Sequence, residues 1–214
     1  PADIPGSKNF LQYWGWKYSK TAGETGAWMH YQSSGGGELL SYLTTPEEFP
    51  EPKMPTSRIF KDGGAYFYEN YDTTNSIAGL LWNPTITDGH AHKETNAVLT
   101  YAYGEMLTAN SGYFGWGKGY NGYTWDYINN RAISANTVLV NYDYGNIKNP
   151  SPVNDHATKT GDGIKQGFTS TLFDYARGVS GKAISNAEHE RSFVMVKTQD
   201  GVPGYFAVLD DVRG

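Results

Sequence analysis

Of the five histidines in the chain, only His90 and His92 lie close together, within Thr87-Asp88-Gly89-His90-Ala91-His92-Lys93-Glu94-Thr95-Asn96. On a strand, residues two apart project to the same face. The spacing therefore predicts His90 and His92 side by side, with Glu94 and Asn96 continuing the row. Two imidazoles and a carboxylate on one face can hold a divalent metal, or can divide the work so that one ligates while the other handles a proton. The competing reading is a polar, solvent-facing sheet edge, and spacing alone weighs the two equally. His30, His156 and His189 have no partner nearby in sequence and are expected in structural roles.

A second stretch of chemical interest runs from Asn110 to Tyr127 and interleaves five glycines with seven aromatic residues. Glycine lets the backbone approach a ligand closely. Trp116, Tyr120, Tyr123 and Trp125 offer flat apolar faces with hydrogen-bonding edges, which suit the CH faces and hydroxyls of a sugar ring. Lys118 and Arg131 could meet a carboxylate or a sulfate. The alternative is an ordinary aromatic surface loop. In either case long loops are where binding residues concentrate.

The elements that must position these residues follow from composition and pattern. The 214 residues are 38% hydrophobic and 15% aromatic, enough to build a core. With no cysteine, disulfide scaffolds, thiolate metal sites and thiol nucleophiles are excluded. A formal net charge of -5 without a Lys/Arg run gives no footprint for nucleic acid, and no apolar stretch is long enough for a helical membrane span.

Residues 1–45 carry short apolar and aromatic runs around a Ser33–Gly37 break, and read as the end of something helical. Four prolines between Pro46 and Pro55 mark residues 46–56 as a linker. Beyond it, residues 57–214 show strand-like segments at 65–69, 76–82, 96–103, 133–141, 167–175, 191–198 and 205–212, separated by Gly, Asn and Asp turns. The pattern predicts a mainly β protein, an antiparallel β-sandwich. The Pro-Ala-Asp start and the strand running into Gly214 read as a piece of a longer chain.

Four segments in order, Ser57–Gly64, the His90-Ala91-His92 strand, Gly104–Tyr113 and Ala135–Val140, resemble the heparinase II/III-like polysaccharide lyases; Tyr205–Gly214 is similar more loosely. The resemblance implies that the sandwich is part of a larger supersandwich and that residues 1–45 are a remnant of an α-helical toroid domain otherwise missing here. It also implies a periplasmic or secreted enzyme acting on an acidic polysaccharide or oligosaccharide. Family chemistry is β-elimination at a uronic acid. The substrate carboxylate is neutralised, a Tyr or His removes the C5 proton, and a Tyr protonates the leaving oxygen. By resemblance His90 faces substrate, the catalytic tyrosine falls near Tyr120 or Tyr123, and His92 ligates a structural zinc. The family's Asp and His are replaced by Asn110 and Ala135, which weakens that zinc site unless Glu94, Glu105 or Asp126 is recruited. Because further catalytic groups come from the toroid, these 214 residues alone are expected to be inactive. A non-catalytic carbohydrate-binding sandwich and a uronate C5-epimerase are the competing functions.

Overall fold

The structure, a computed structural model, describes residues 57–70, 74–87, 91–110, 130–143 and 154–214. The expected helical remnant and proline linker lie outside the described residues, as do His90, Trp116, Lys118, Tyr120, Tyr123 and Trp125. The chain divides between Pro55 and Thr56, and everything described belongs to the second unit.

That unit is built from two antiparallel meanders. The first sheet runs β1 (Arg58–Phe60), β2 (Gly64–Tyr68), β3 (Ile77–Trp82), β4 (Ala97–Ala102) and β5 (Glu105–Thr108), each strand paired with its neighbour in sequence. The second runs β6 (Ile164–Phe168), β7 (Phe173–Val179), β8 (Glu188–Val196) and β9 (Tyr205–Arg213). The mainly β sandwich read from the sequence is the fold observed.

Alternation decides which side of each strand is covered. Ile77, Gly79 and Leu81 on β3 are buried, and so are His189, Arg191, Phe193 and Met195 on β8. The apolar core joins Ala65, Phe67, Ile77, Leu81 and Val98 of the first sheet to Ile164, Ala176, Phe193 and Met195 of the second. Phe193 stacks between Phe67 and Phe206, with centroids 5.7 and 5.8 Å away and the rings nearly parallel. Gly79 permits this: a Cβ there would lie 2.5 Å from Phe193 Cζ.

The interior is not apolar throughout. Along the inward row of β8, Phe193 and Met195 give way to Arg191 and His189, which meet Asn96 of the first sheet's connecting loop, where Asn83 and Thr95 are also buried. At the opposite end, Asp174 is fully buried. It accepts hydrogen bonds from Ser57 Oγ and the Ser170 amide and pairs with Lys197 at 3.1 Å. The charged groups of both regions, Arg191 and Asp174, are hydrogen-bonded, as buried charge requires.

Three local expectations are corrected. The segment 133–141 forms no strand, because side chains hold its backbone. Arg191 Nη1 donates to Asn136 O, Asn154 Nδ2 donates to Asn141 O, and the His156 ring bonds Val138 O. Residues 167–175 are a hairpin instead of one strand. The turn between β6 and β7 is held by Ser170 Oγ, which accepts from the amides of Leu172 and Phe173. Residues 91–96 form a loop, so there is no row from His92 through Asn96. Asn96 takes a positive φ of 58°, turning the chain into β4 and sending its amide inward. Asparagine tolerates that left-handed conformation.

Candidate functional site

Three connections meet at the polar end of the sandwich: the β3–β4 loop, the segment 130–143 that follows β5, and the segment 154–163 that leads into β6. Backbone bonds tie them together. Lys93 N donates to Asn130 O at 3.4 Å, Val98 N to Asn136 O at 3.2 Å, and Gly161 N to Pro84 O at 2.9 Å. Side chains finish the join. Asp155, buried, accepts from the Ala132 amide at 3.0 Å and pairs with Lys93 at 3.2 Å and Arg131 at 3.3 Å.

Beneath these loops lies a polar lock. Asn83 Nδ2 donates to Asn96 Oδ1 at 2.6 Å and to Val179 O at 2.9 Å, while Asn83 Oδ1 accepts from Gly163 N. Asn96 Nδ2 donates to His189 O at 3.1 Å. Arg191 grips Asp210 with two parallel bonds, Nε to Oδ1 at 2.7 Å and Nη2 to Oδ2 at 2.9 Å. Its remaining nitrogen, Nη1, donates to the carbonyls of Asn96 at 2.7 Å and Asn136 at 2.6 Å. One guanidinium thus fixes the bases of two loops to β9, using the bidentate geometry that lysine lacks. Glycine is required at two places here, since a Cβ on Gly161 would lie 2.3 Å from Asn83 Oδ1 and one on Gly178 2.3 Å from Asn96 Oδ1.

Burial pushes the His189 imidazole below its ordinary pKa, more strongly than the bond to Asp210 raises it. The ring is therefore neutral near pH 7. Its Nε2–H donates to Asp210 Oδ1 at 2.7 Å, which leaves Nδ1 toward the Asn96 amide. Burial alone would raise Asp210, but the bonds from Arg191 and His189 outweigh it and hold that carboxyl below its usual range. Burial also lowers His156.

These two histidines set a pH dependence. Both bind a proton less readily folded than unfolded, so stability rises with pH through their titration. Their contribution is fully present above about pH 6.5, the ordinary imidazole value, and is lost as pH falls below it. The thermal midpoint is expected to drop between about pH 7.5 and pH 5.5, and His156→Gln or His189→Gln should flatten that slope. A midpoint indifferent to pH over this range would overturn the assignment of both rings as buried and neutral. Burial raises the Glu94 carboxyl, which therefore acts in the opposite sense, nearer the ordinary carboxyl range.

Of the sequence-predicted site residues, the structure brings Glu94 and Asn110 together: Asn110 Nδ2 donates to Glu94 Oε2. Burial raises the Glu94 carboxyl, partly offset by that bond. His92 lies two residues before Glu94 and is lowered by burial and then by the nearby Lys159 ammonium. Arg131, expected at substrate, pairs with Asp155. As a metal centre the described donors do not suffice. Among the described residues no three His, Asp or Glu side chains converge. Asn110 turns an N–H toward Glu94, and its Oδ1, buried without a hydrogen-bond partner, adds one neutral oxygen. Glu94 and Asn110 fall short of the four-coordinate donor set of a structural zinc.

Arg191, Asp210 and Asn83 were not singled out from the sequence, and Asn96 was named only as the end of the His90–His92 row. One signal was available: His189 and Arg191 occupy the inward register of a strand whose other inward residues are Phe193 and Met195.

No family model and no curated protein matches the chain. Solved structures do. A heparinase III, the BT4657 gene product, aligns at TM-score 0.59 and 16% identity, over 95% of this chain and 28% of that one. The heparan sulfate lyase HepC from Pedobacter heparinus aligns at TM-score 0.58 and 14% identity, over 95% of this chain and 27% of that one. A further heparinase III aligns at TM-score 0.55 and 12% identity, over 91% of this chain and 28% of that one. The chain shares their fold and spans about a quarter of their length.

Proposed function

We propose that this chain is the β-sandwich portion of a polysaccharide lyase that cleaves uronic-acid-containing glycans by β-elimination, working in the periplasm or outside the cell. The observation that carries the reading is the fold shared with heparinase III and heparan sulfate lyase structures, together with the residues that this fold gathers at one end. Lys93 and Arg131 share one carboxylate, Asp155, which leaves a positive charge over, and Lys159 lies by His92. That charge suits an acidic chain.

In the elimination, the uronate carboxylate is neutralised so that the C5–H bond can break. The electron pair forms the C4–C5 double bond, the C4–O bond breaks, and the leaving oxygen takes up a proton. His90 is assigned to the substrate face, with Tyr120 or Tyr123 supplying or removing the proton. Trp116, Lys118 and Trp125 are assigned to sugar binding.

The reading is tested in the longest form of the protein that carries this chain. Wild type incubated with uronate polymers should accumulate an unsaturated product absorbing in the ultraviolet, and His90→Ala should lower that rate by about 10²-fold or more, as expected for removal of an acid–base group. Full activity in His90→Ala would remove His90 from the chemistry. A second reading, a non-catalytic sugar-binding sandwich, is favoured by Asn110, whose amide is engaged with Glu94. Glycan binding without elimination on any uronate polymer would select it.

A further inference from the structure

The open edges of the two sheets, β1 and β6, lie against each other, and between them runs a groove of about 510 Å³. Ile59 and Gly167 line it in close contact: a Cβ on Gly167 would lie 2.7 Å from Ile59 Cδ1. Lys61, Lys165, Gln166, Phe168 and Tyr175 line its walls.

The two lysines are placed by the backbone. Ile164 N donates to Lys61 O at 2.8 Å, holding the end of β1 to the start of β6. The β6–β7 register slips between Ile164 and Gln166, so Lys165 is the extra residue of a bulge. Such bulges re-aim a side chain out of the ladder. Among the described residues no carboxylate lines the groove. Among the described residues, no ion pair engages Lys61 or Lys165.

Beside the lysines stands an aromatic cluster. Phe168 meets Phe173 edge-on at 5.2 Å and Tyr175 at 5.8 Å, and Phe168 remains 47% exposed. Solvent-facing rings held by their neighbours are costly to leave uncovered and suit the CH face of a pyranose. Unneutralised ammonium groups beside them, in a chain of net charge -5, select for an anionic ligand.

We infer that the β1–β6 groove is a second carbohydrate-binding site, one that takes an acidic sugar unit by stacking it on the Phe168–Tyr175 wall and pairing its carboxylate or sulfate with Lys61 and Lys165. The ligand class rests on the polysaccharide reading above. The site is distinct from the His92–Glu94 loop, which flanks a different cleft, lined by Asp62, Trp82 and Glu94. Two cations are too few for a polynucleotide backbone, whose binding draws on many phosphate contacts.

Calorimetric titration of the 214-residue chain with a uronate–hexosamine tetrasaccharide tests this, with a neutral glucose tetrasaccharide and a single-stranded oligonucleotide as comparators. Lys61→Gln combined with Lys165→Gln should weaken binding about tenfold and remove most of its salt dependence. Phe168→Ala should weaken it several-fold. All three positions are exposed, and unchanged unfolding midpoints will show that the variants fold. Unaltered affinity in the double lysine variant overturns the inference, as does equal binding of the neutral sugar or the oligonucleotide. Failure of the lyase reading is seen separately. If no uronate polymer is cleaved but the lysine-dependent binding persists, the groove stands and the catalytic assignment falls.

Discussion

Arg191→Ala is expected to cost about 3–5 kcal/mol of folding stability, the range for removing one partner of a buried ion pair. The arginine side chain is 7% exposed and the Asp210 side chain 32%, so the pair is shielded but not sealed. Deleting the guanidinium leaves Asp210 with His189 alone and takes a donor from the Asn96 and Asn136 carbonyls. Unpaired groups of this kind, more than the lost attraction, make such changes expensive. Arg191→Lys should recover only part of the loss, since one ammonium cannot form the parallel bonds to Asp210 and also reach two carbonyls. Replacing Arg191 and Asp210 together with apolar residues should cost less than Arg191→Ala alone, because no carboxylate is then stranded. Urea denaturation of the three variants decides the matter. A loss below about 1 kcal/mol for Arg191→Ala would place the pair among exposed surface bridges and withdraw the lock.

The second large effect is expected at Gly79. A Cβ there would meet Phe193 Cζ at 2.5 Å, Phe193 Cε1 at 2.8 Å and Phe206 Cε1 at 3.1 Å. Phe193 cannot swing away, being held between Phe67 and Phe206. Gly79→Ala should therefore destabilise by about 1–3 kcal/mol and Gly79→Val by more, the cost of overfilling a packed core. If the ring is the obstacle, Phe193→Leu should relieve it, and the Gly79→Ala, Phe193→Leu pair will cost less than the sum of the single changes. Strict additivity would show that the contact with Phe193 is not what excludes a side chain.

How much of this was legible in the sequence depended on how each segment is held. β2, β3, β4, β8 and β9 show as short β-branched and aromatic runs bounded by Gly, Asn and Asp turns, at Ala65–Tyr68, Ile77–Trp82, Ala97–Ala102, Arg191–Val196 and Tyr205–Val212, because such side chains fill a pleated, covered face and such turns end it. β1 spans only three residues, too few for a period to register. β6 and β7 merge into one apparent strand because Phe168 and Phe173 are similar in character and the turn depends on a single serine hydroxyl. Ile133–Asn141 has strand composition, yet side chains satisfy its backbone, and composition cannot reveal partners drawn from residues 154, 156 and 191.

The candidate site divides the same way. Glu94 and Asn110 were both picked out as possible ligands, and the fold brings them into contact with each other. The Arg191–Asp210–Asn96 lock was invisible to local spacing because its members are brought together only by the pairing of β8 with β9 and the docking of one sheet on the other.

The order of the two meanders along the chain has a consequence for how the protein is made. The first sheet is complete at Thr108, but Phe193 and Met195, which cover Phe67 and Leu81, belong to a strand ending at Val196, about ninety residues later. At translation speeds of about 5–20 residues per second, a finished apolar face waits roughly 5–20 seconds for its lid. During that interval the nascent chain presents a sticky surface on the ribosome, and the cell's holding factors have time to reach it before the second sheet does.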